Sequence, residues 1–164
     1  DQDSMEQVVV ELLKELGMTA CTCESMTGGL IAGRITSIPG ASDVFECGLV
    51  TYSNRIKHKL ADVSVKTLDE HTAVSLETAA EMAKGALLLS GASVALSITG
   101  VAGPDDTPEG EAGTVYVGLS GPLGTRANKV DMLRSRDRAY NRNLATVKAL
   151  DALRLYLLEI KRGH

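Results

Sequence analysis

The chain has 164 residues, 44% hydrophobic and 23% charged, enough apolar material for the core of one domain spanning residues 1–164 without disulfides or a structural metal. A net charge of −4 speaks against a nucleic-acid or anionic-membrane surface, since both need a basic face, and the lack of Trp with a single Phe leaves no base-stacking platform. No stretch approaches the ~20 apolar residues of a membrane span and no signal peptide opens the chain, so a small-molecule partner in the cytoplasm is expected.

The chain opens on Asp1, which reads as a trimmed start or as a piece of something longer. Met5, Val8, Val9, Leu12, Leu13 and Leu16 follow an i, i+3, i+4 rhythm that stops at Gly17, the pattern of an amphipathic helix with a glycine stop. Thr19 to Cys23 is rich in β-branched and small apolar residues and predicts a strand. Cys21 and Cys23 share one face of it as small core residues, in keeping with reduced, cytoplasmic use of three cysteines. Leu30, Ile31, Ile35 and Ile38 then recur at helical spacing as far as Pro39-Gly40, so Ser25 falls in a strand-to-helix turn with Gly28 and Gly29 at the helix start. Such a turn aims unpaired N–H groups and the positive helix end at a phosphate, a carboxylate or a developing oxyanion. Equally, Ser25 or Thr27 can simply cap the helix.

Val44 to Tyr52 predicts a second strand that delivers Tyr52 to its C-terminal end. Ser53-Asn54 caps a short helix from Arg55 to about Ala61 that bears Lys57. Ser75, with Glu77 in the first turn, opens a helix from Leu76 to Leu89 that stops at Ser90-Gly91. The mainly apolar run Val94 to Ile98 reads as a strand buried on both faces, and it gives way to a Gly- and Pro-rich loop, Thr99 to Pro108. Strands over about Gly113–Leu119 and Arg126–Leu133, joined across Ser120 to Gly124, are expected to pair antiparallel. A last helix, Arg138–Ile160, carries Leu144, Val147, Leu150, Leu153 and Leu157 along one face. Helices alternating with strands imply an α/β protein, a three-layer α/β/α sandwich around a mixed, mostly parallel sheet with one antiparallel strand.

In open α/β sheets ligands gather at the carboxyl ends of the strands, and three polar loops meet there: Ser25 to Gly29, Tyr52 to Lys57, and Thr99 to Asp106. Ser, Tyr and Lys suit acyl transfer: a hydroxyl nucleophile needs a base, a desolvated Lys can lose its proton near neutral pH, and a Tyr can orient the Ser or relay its proton. Taken singly, each has a plainer role: Lys57 a solvated helix lysine like Lys59 and Lys66, Tyr52 a packing residue at a strand end. His58 and His71 lack ligand partners at a useful spacing and read as surface or capping residues. The Gly103-Pro104-Asp105-Asp106 loop is a turn or a phosphate-binding nest, and two adjacent acids without a third ligand form a solvated turn and not a metal site. Spacing removes several alternatives: Tyr52 and Lys57 are not Tyr-x-x-x-Lys, neither Gly-x-Gly-x-x-Gly nor a P-loop is present, and Ser25 lies in neither Gly-x-Ser-x-Gly nor Ser-x-x-Lys.

Five ordered motifs together carry a family likeness. Glu24-Ser25-Met26-Thr27-Gly28-Gly29, Val50-Thr51-Tyr52-Ser53-Asn54 with Lys57, His71 to Ser75, Thr99 to Asp105, and Gly113-Thr114-Val115-Tyr116 resemble the CinA C-terminal domain family, the nicotinamide-nucleotide amidases, over nearly the whole chain. The resemblance implies hydrolysis of the amide of nicotinamide mononucleotide, in pyridine-nucleotide salvage, to nicotinate mononucleotide and ammonia, with no metal or organic cofactor. It makes Ser25 the nucleophile in a Ser-Tyr-Lys set with Tyr52 and Lys57. Thr27, Gly28 and Gly29 would shape the oxyanion and ligand pocket, which Asn54, Thr99, Gly100 and Gly103 would line. Phosphate donors are expected among the helix start at Thr27-Gly28-Gly29, the Thr99 to Gly103 loop, and Arg138 or Arg142. The family also implies a homo-oligomer and, in some members, fusion behind a molybdopterin-binding-like domain. A module that keeps the pocket but binds or regulates without turnover is the alternative. Two departures stand out: Met26 replaces the Cys of many relatives, and the loop after Gly103 is one residue shorter, with Gly110-Glu111 in place of a basic pair, which bears on substrate preference or rate.

Overall fold

The computed structural model describes residues 3–163. α1, Met5–Leu16, is capped by Ser4, whose hydroxyl accepts from Gln7 N, and ends at Gly17, whose φ of 65° only glycine adopts without cost. Five strands follow, β1 Ala20–Glu24, β2 Phe45–Val50, β3 Val94–Gly100, β4 Val115–Gly121 and β5 Gly124–Lys129, in the sheet order β2-β1-β3-β4-β5. β1 pairs in parallel with β2 and β3, while β4 pairs antiparallel with both β3 and β5. Four strands thus run one way and β4 alone runs against them, the mixed sheet expected. β1, central and parallel on both sides, is buried at every residue.

Helices cover both faces. α1, α2 (Leu30–Thr36) and α6 (Arg138–Lys161) pack together on one side, where Leu13, Ile31, Ile35, Leu150, Leu153 and Leu157 meet Leu96 and Ile98 in the larger core. On the other side α3 (Asn54–Ala61), α4 (Val65–His71) and α5 (Leu76–Ser90) enclose a smaller core in which Cys21 and Cys23 lie against Ala61, Met82, Ala86 and Ala95. Each Leu or Ile removed from water in this way contributes about 2 kcal/mol. α5 lies so close to its neighbours that a Cβ on Gly85 would fall 1.6 Å from the Ala61 carbonyl oxygen and one on Gly118 of β4 would fall 2.2 Å from that of Ala79. Glycine is the only residue that fits at either contact.

Three local expectations differ from the structure. The β4–β5 hairpin turns through Pro122-Leu123 alone, because Gly121 pairs with Gly124, so β5 starts two residues early. It also ends at Lys129, since β4 offers no partner beyond Val115 and Val130 N makes the last bond to it. α4 and a short 3-10 turn at Ala41–Asp43 are too short for a hydrophobic period and were not expected; Ser64 caps α4 through Thr67 N. In α6 the small residues Ala145 and Ala149 are fully buried while Leu144 and Val147 are half-buried, so the face turned toward α1 and α2 is not the one that the leucines and valine mark in its first turns.

Candidate active site

The order β2-β1-β3 sets the C-terminal ends of three parallel strands side by side, and the loops that leave them form the walls of a cleft of about 450 Å³. Ser25 is the first residue past β1. Its N–H donates to Ile98 O of β3 (3.1 Å) and its carbonyl accepts from Gly28 N (3.1 Å), which closes a tight turn. Lys57 sits one turn into α3, whose start is fixed by the Ser53 hydroxyl accepting from Ile56 N. The helix directs Lys57 inward, and only 1% of the residue remains exposed. Its Nζ lies 2.9 Å from Ser25 Oγ, 2.8 Å from Thr51 O and 3.2 Å from Tyr52 O. Burial lowers the Lys57 pKa from its usual value, and no salt bridge to an acid offsets that loss of solvation; Cys23 and Glu109 counter it only in part. The Cys23 thiol is itself pushed up to about 11 by burial.

These neighbours decide which way the proton faces. Carbonyl oxygens only accept, so both bonds to Thr51 O and Tyr52 O consume N–H groups of Lys57. A neutral amine has two N–H groups and one lone pair. In that form, with both N–H groups on the carbonyls, the lone pair would face Ser25 Oγ, 2.9 Å away, and the serine O–H would donate; in the protonated form the ammonium donates to Ser25 as well. The neutral form is the arrangement a general base requires.

Tyr52 occupies the rim. It is 63% exposed, and its hydroxyl accepts from Arg138 Nη2 (3.3 Å) instead of meeting Ser25 or Lys57; it reaches the lysine only through its carbonyl. Arg138, in the first turn of α6, also donates to Gly103 O (2.7 Å) and faces the cleft. Asn54, Thr99, Gly100 and Gly103 line the cleft too, with Met26. Thr99 Oγ1 is spent on Ala73 O (2.7 Å), and a Cβ on Gly100 would lie 2.5 Å from Thr114 O and 2.6 Å from Met26 Sδ, so only glycine fits between them.

The helix start is not open to an external anion, contrary to expectation. Glu24, fully buried at the end of β1, curls back over α2: its carboxylate accepts from Gly29 N (3.2 Å), Ile31 N and Ala32 N (3.0 Å each) and from the Thr27 hydroxyl. The chain supplies its own anion to the positive helix end, and α2 is entered through Gly29 with no side-chain cap from Ser25 or Thr27. The visible signal was a charged residue ending a fully buried strand, four residues ahead of an uncapped Gly-Gly start.

The profile of the CinA C-terminal domain matches residues 2–157. This chain belongs to that family. A CinA-like protein of Geotalea uraniireducens is 46% identical over the full chain, which spans 39% of that relative, and one of Geobacter metallireducens is 43% identical over 96% of it, spanning 38%. The chain therefore covers about two fifths of the length of these relatives. Among solved structures, the competence/damage inducible protein CihA of Agrobacterium tumefaciens superposes with a TM-score of 0.85 at 34% identity over 95% of this chain and 96% of that one. A CinA superfamily protein of Klebsiella pneumoniae gives 0.89 at 28% over 96% and 99%.

Of the residues singled out by motif, this CinA C-terminal domain brings Ser25, Lys57, Asn54, Thr99, Gly100, Gly103 and Arg138 to one cleft, with Tyr52 at its edge. Thr27, Gly28, Gly29 and Arg142 lie behind the Ser25 turn, outside the cleft lining. Arg142 Nε and Nη2 donate to Met26 O (2.9 Å) and Thr27 O (3.1 Å). In the altered loop Asp105 faces the cleft, whereas Asp106 pairs with Arg136 and takes Ala112 N, contacts that hold its carboxyl below the usual carboxylate range. Glu109 leans over the cleft with its carboxylate on Ala73 N (3.1 Å). His58 and His71 are exposed, bonded to Val63 O and paired with Glu77, as surface residues should be. No helix among the described residues is long and apolar enough to cross a membrane.

Proposed function

We propose that this domain is an amidase that hydrolyses the carboxamide of nicotinamide mononucleotide, giving nicotinate mononucleotide and ammonia. The observation that carries this reading is the buried amine of Lys57, its pKa lowered by burial, 2.9 Å from Ser25 Oγ and held in place by the Thr51 and Tyr52 carbonyls. Ser25 Oγ attacks the carboxamide carbon as its proton passes to Lys57 Nζ. The tetrahedral intermediate collapses, the C–N bond breaks, and the Lys57 proton leaves on the ammonia. Water then attacks the acyl-serine with Lys57 again taking the proton, and the acid departs as Ser25 recovers it. Membership of the CinA C-terminal domain family supports the substrate class, and a cleft of about 450 Å³ is of a size suited to a mononucleotide.

A domain of net charge −4 does not draw in a phosphate through its overall field, so a local donor has to hold it. Arg138 is the guanidinium that faces the cleft, and it can exchange its contacts to Gly103 O and Tyr52 Oη for phosphate oxygens. Arg138→Ala is expected to raise KM for the nucleotide about tenfold with kcat nearly unchanged, as loss of a charge-assisted bond outside the reacting centre should. The function itself is tested by ammonia release from nicotinamide mononucleotide, nicotinamide riboside and free nicotinamide, compared in parallel. Preference for the nucleotide supports the proposal. Equal turnover of free nicotinamide removes the need for a phosphate site and overturns the substrate assignment, and absence of ammonia from all three overturns the amidase.

A further inference from the structure

Arg142 reaches across from α6 to the turn that carries Ser25, and the way it does so gives it a task that its exclusion from the cleft would hide. Its Nε and Nη2 engage two successive carbonyls, those of Met26 and Thr27, at 2.9 and 3.1 Å. In a trans peptide the N–H points opposite to its carbonyl. Holding Thr27 O on the α6 side therefore turns Gly28 N–H the other way, where it donates to Ser25 O (3.1 Å). That bond in turn fixes the Ser25–Met26 peptide and leaves Met26 N–H on the opposite side of it. Among the described residues Met26 N–H has no acceptor, and Met26 lines the cleft beside Ser25. Glu24 secures the far end of the same turn through Thr27, Gly29 and Ile31, so the segment is gripped by an anion on one side and a cation on the other.

We infer that Arg142 is a positioning residue: through the Thr27–Gly28 and Ser25–Met26 peptides it aims Met26 N–H at the oxygen that becomes negative when Ser25 attacks an acyl carbon. The guanidinium also polarises the peptides it touches, which strengthens their N–H groups as donors. This inference rests on the amidase reading for its substrate, but the turn geometry serves any electrophile that Ser25 attacks. Donors placed in advance where charge develops are worth about 10²- to 10³-fold in rate each, and one that is displaced loses a large part of that.

The test uses Arg142→Ala and Arg142→Lys. Lysine keeps the charge and most of the packing but, as a point donor, does not reproduce the fork across two carbonyls, and it stands in should the alanine variant not fold. Both kinetic constants are measured with nicotinamide mononucleotide, and separately the rate at which a fluorophosphonate labels Ser25, a reaction that uses the same oxygen-binding donors and no carboxamide. The expected result is a fall in kcat of about 10- to 100-fold with KM changed less than about threefold, and a parallel fall in labelling rate. A raised KM with unchanged kcat would make Arg142 a substrate contact, and unchanged labelling would leave it a structural residue; either overturns the inference. If the wild-type chain releases no ammonia yet is labelled, and labelling still falls in both variants, the substrate assignment fails while the positioning role stands.

Discussion

Ser25→Ala is expected to lower ammonia release about 10⁴-fold or more while leaving the melting temperature within a few degrees of the wild type. The rate loss follows from removing the proposed nucleophile; where a nucleophile works with a base as a unit, deleting it forfeits nearly all of what the unit contributes. The stability change is small because Ser25 is bound to the fold by its backbone, through Ile98 O and Gly28 N, and not by its hydroxyl. Lys57 loses one partner but retains Thr51 O and Tyr52 O, so no polar group is orphaned, and one such bond is worth about 1 kcal/mol. Ammonia release and thermal unfolding of the same preparation check both halves, with mass analysis of wild type quenched during turnover to find the acyl group on the peptide that holds Ser25. Turnover that survives the substitution would exclude the covalent route.

Lys57→Met is expected to cost about as much activity, for the complementary reason that Ser25 then has no base. Wild-type kcat should rise with pH through a value below the ordinary lysine range, since only the neutral amine accepts the serine proton and burial favours that form. The same shift has a consequence for stability. Between the lowered folded pKa and 10.5 the unfolded chain carries a proton on Lys57 that the folded chain lacks, so stability must rise with pH across that window. Below it, the folded protein bears the cost of a buried cation with no salt bridge. Methionine fills the same space without that cost, and the variant should melt no lower than wild type at pH 7, with the wild type gaining on it as the pH approaches 10.5. Denaturation of the pair at several pH values measures this. A pH-independent difference, or a flat activity profile, would mean that Lys57 does not titrate in that window.

α1, β1, α5 and β3 follow from the sequence because their signals are local and complete: an apolar stripe stops at Gly17, Ser75 and Gly91 bound another, and Val94–Ile98 is apolar but for Ser97. The three loops that carry Ser25, Lys57 and Gly103 could likewise be assigned to one end of the sheet, since parallel strands must all end on the same side. Where β5 ends and which face of α6 turns inward depended on neighbours: on β4 having no pairing residue beyond Val115, and on α1 and α2 packing against α6.

The division is sharper at the site. Motif order identified the family and which side chains would meet at the carboxyl end of the sheet, because an uncommon set of residue types at set spacings is rarely reproduced outside one family. What each group faces was decided by tertiary structure alone. Glu24 occupies the helix end that an external phosphate was expected to reach, Tyr52 turns its hydroxyl to Arg138, and Arg142 grips a turn 116 residues away in the chain. Hydrogen bonds form over 3 Å of space regardless of sequence separation, and a buried donor or acceptor takes whichever partner packing brings within that distance. The sequence names those partners; only the folded chain sets them against each other.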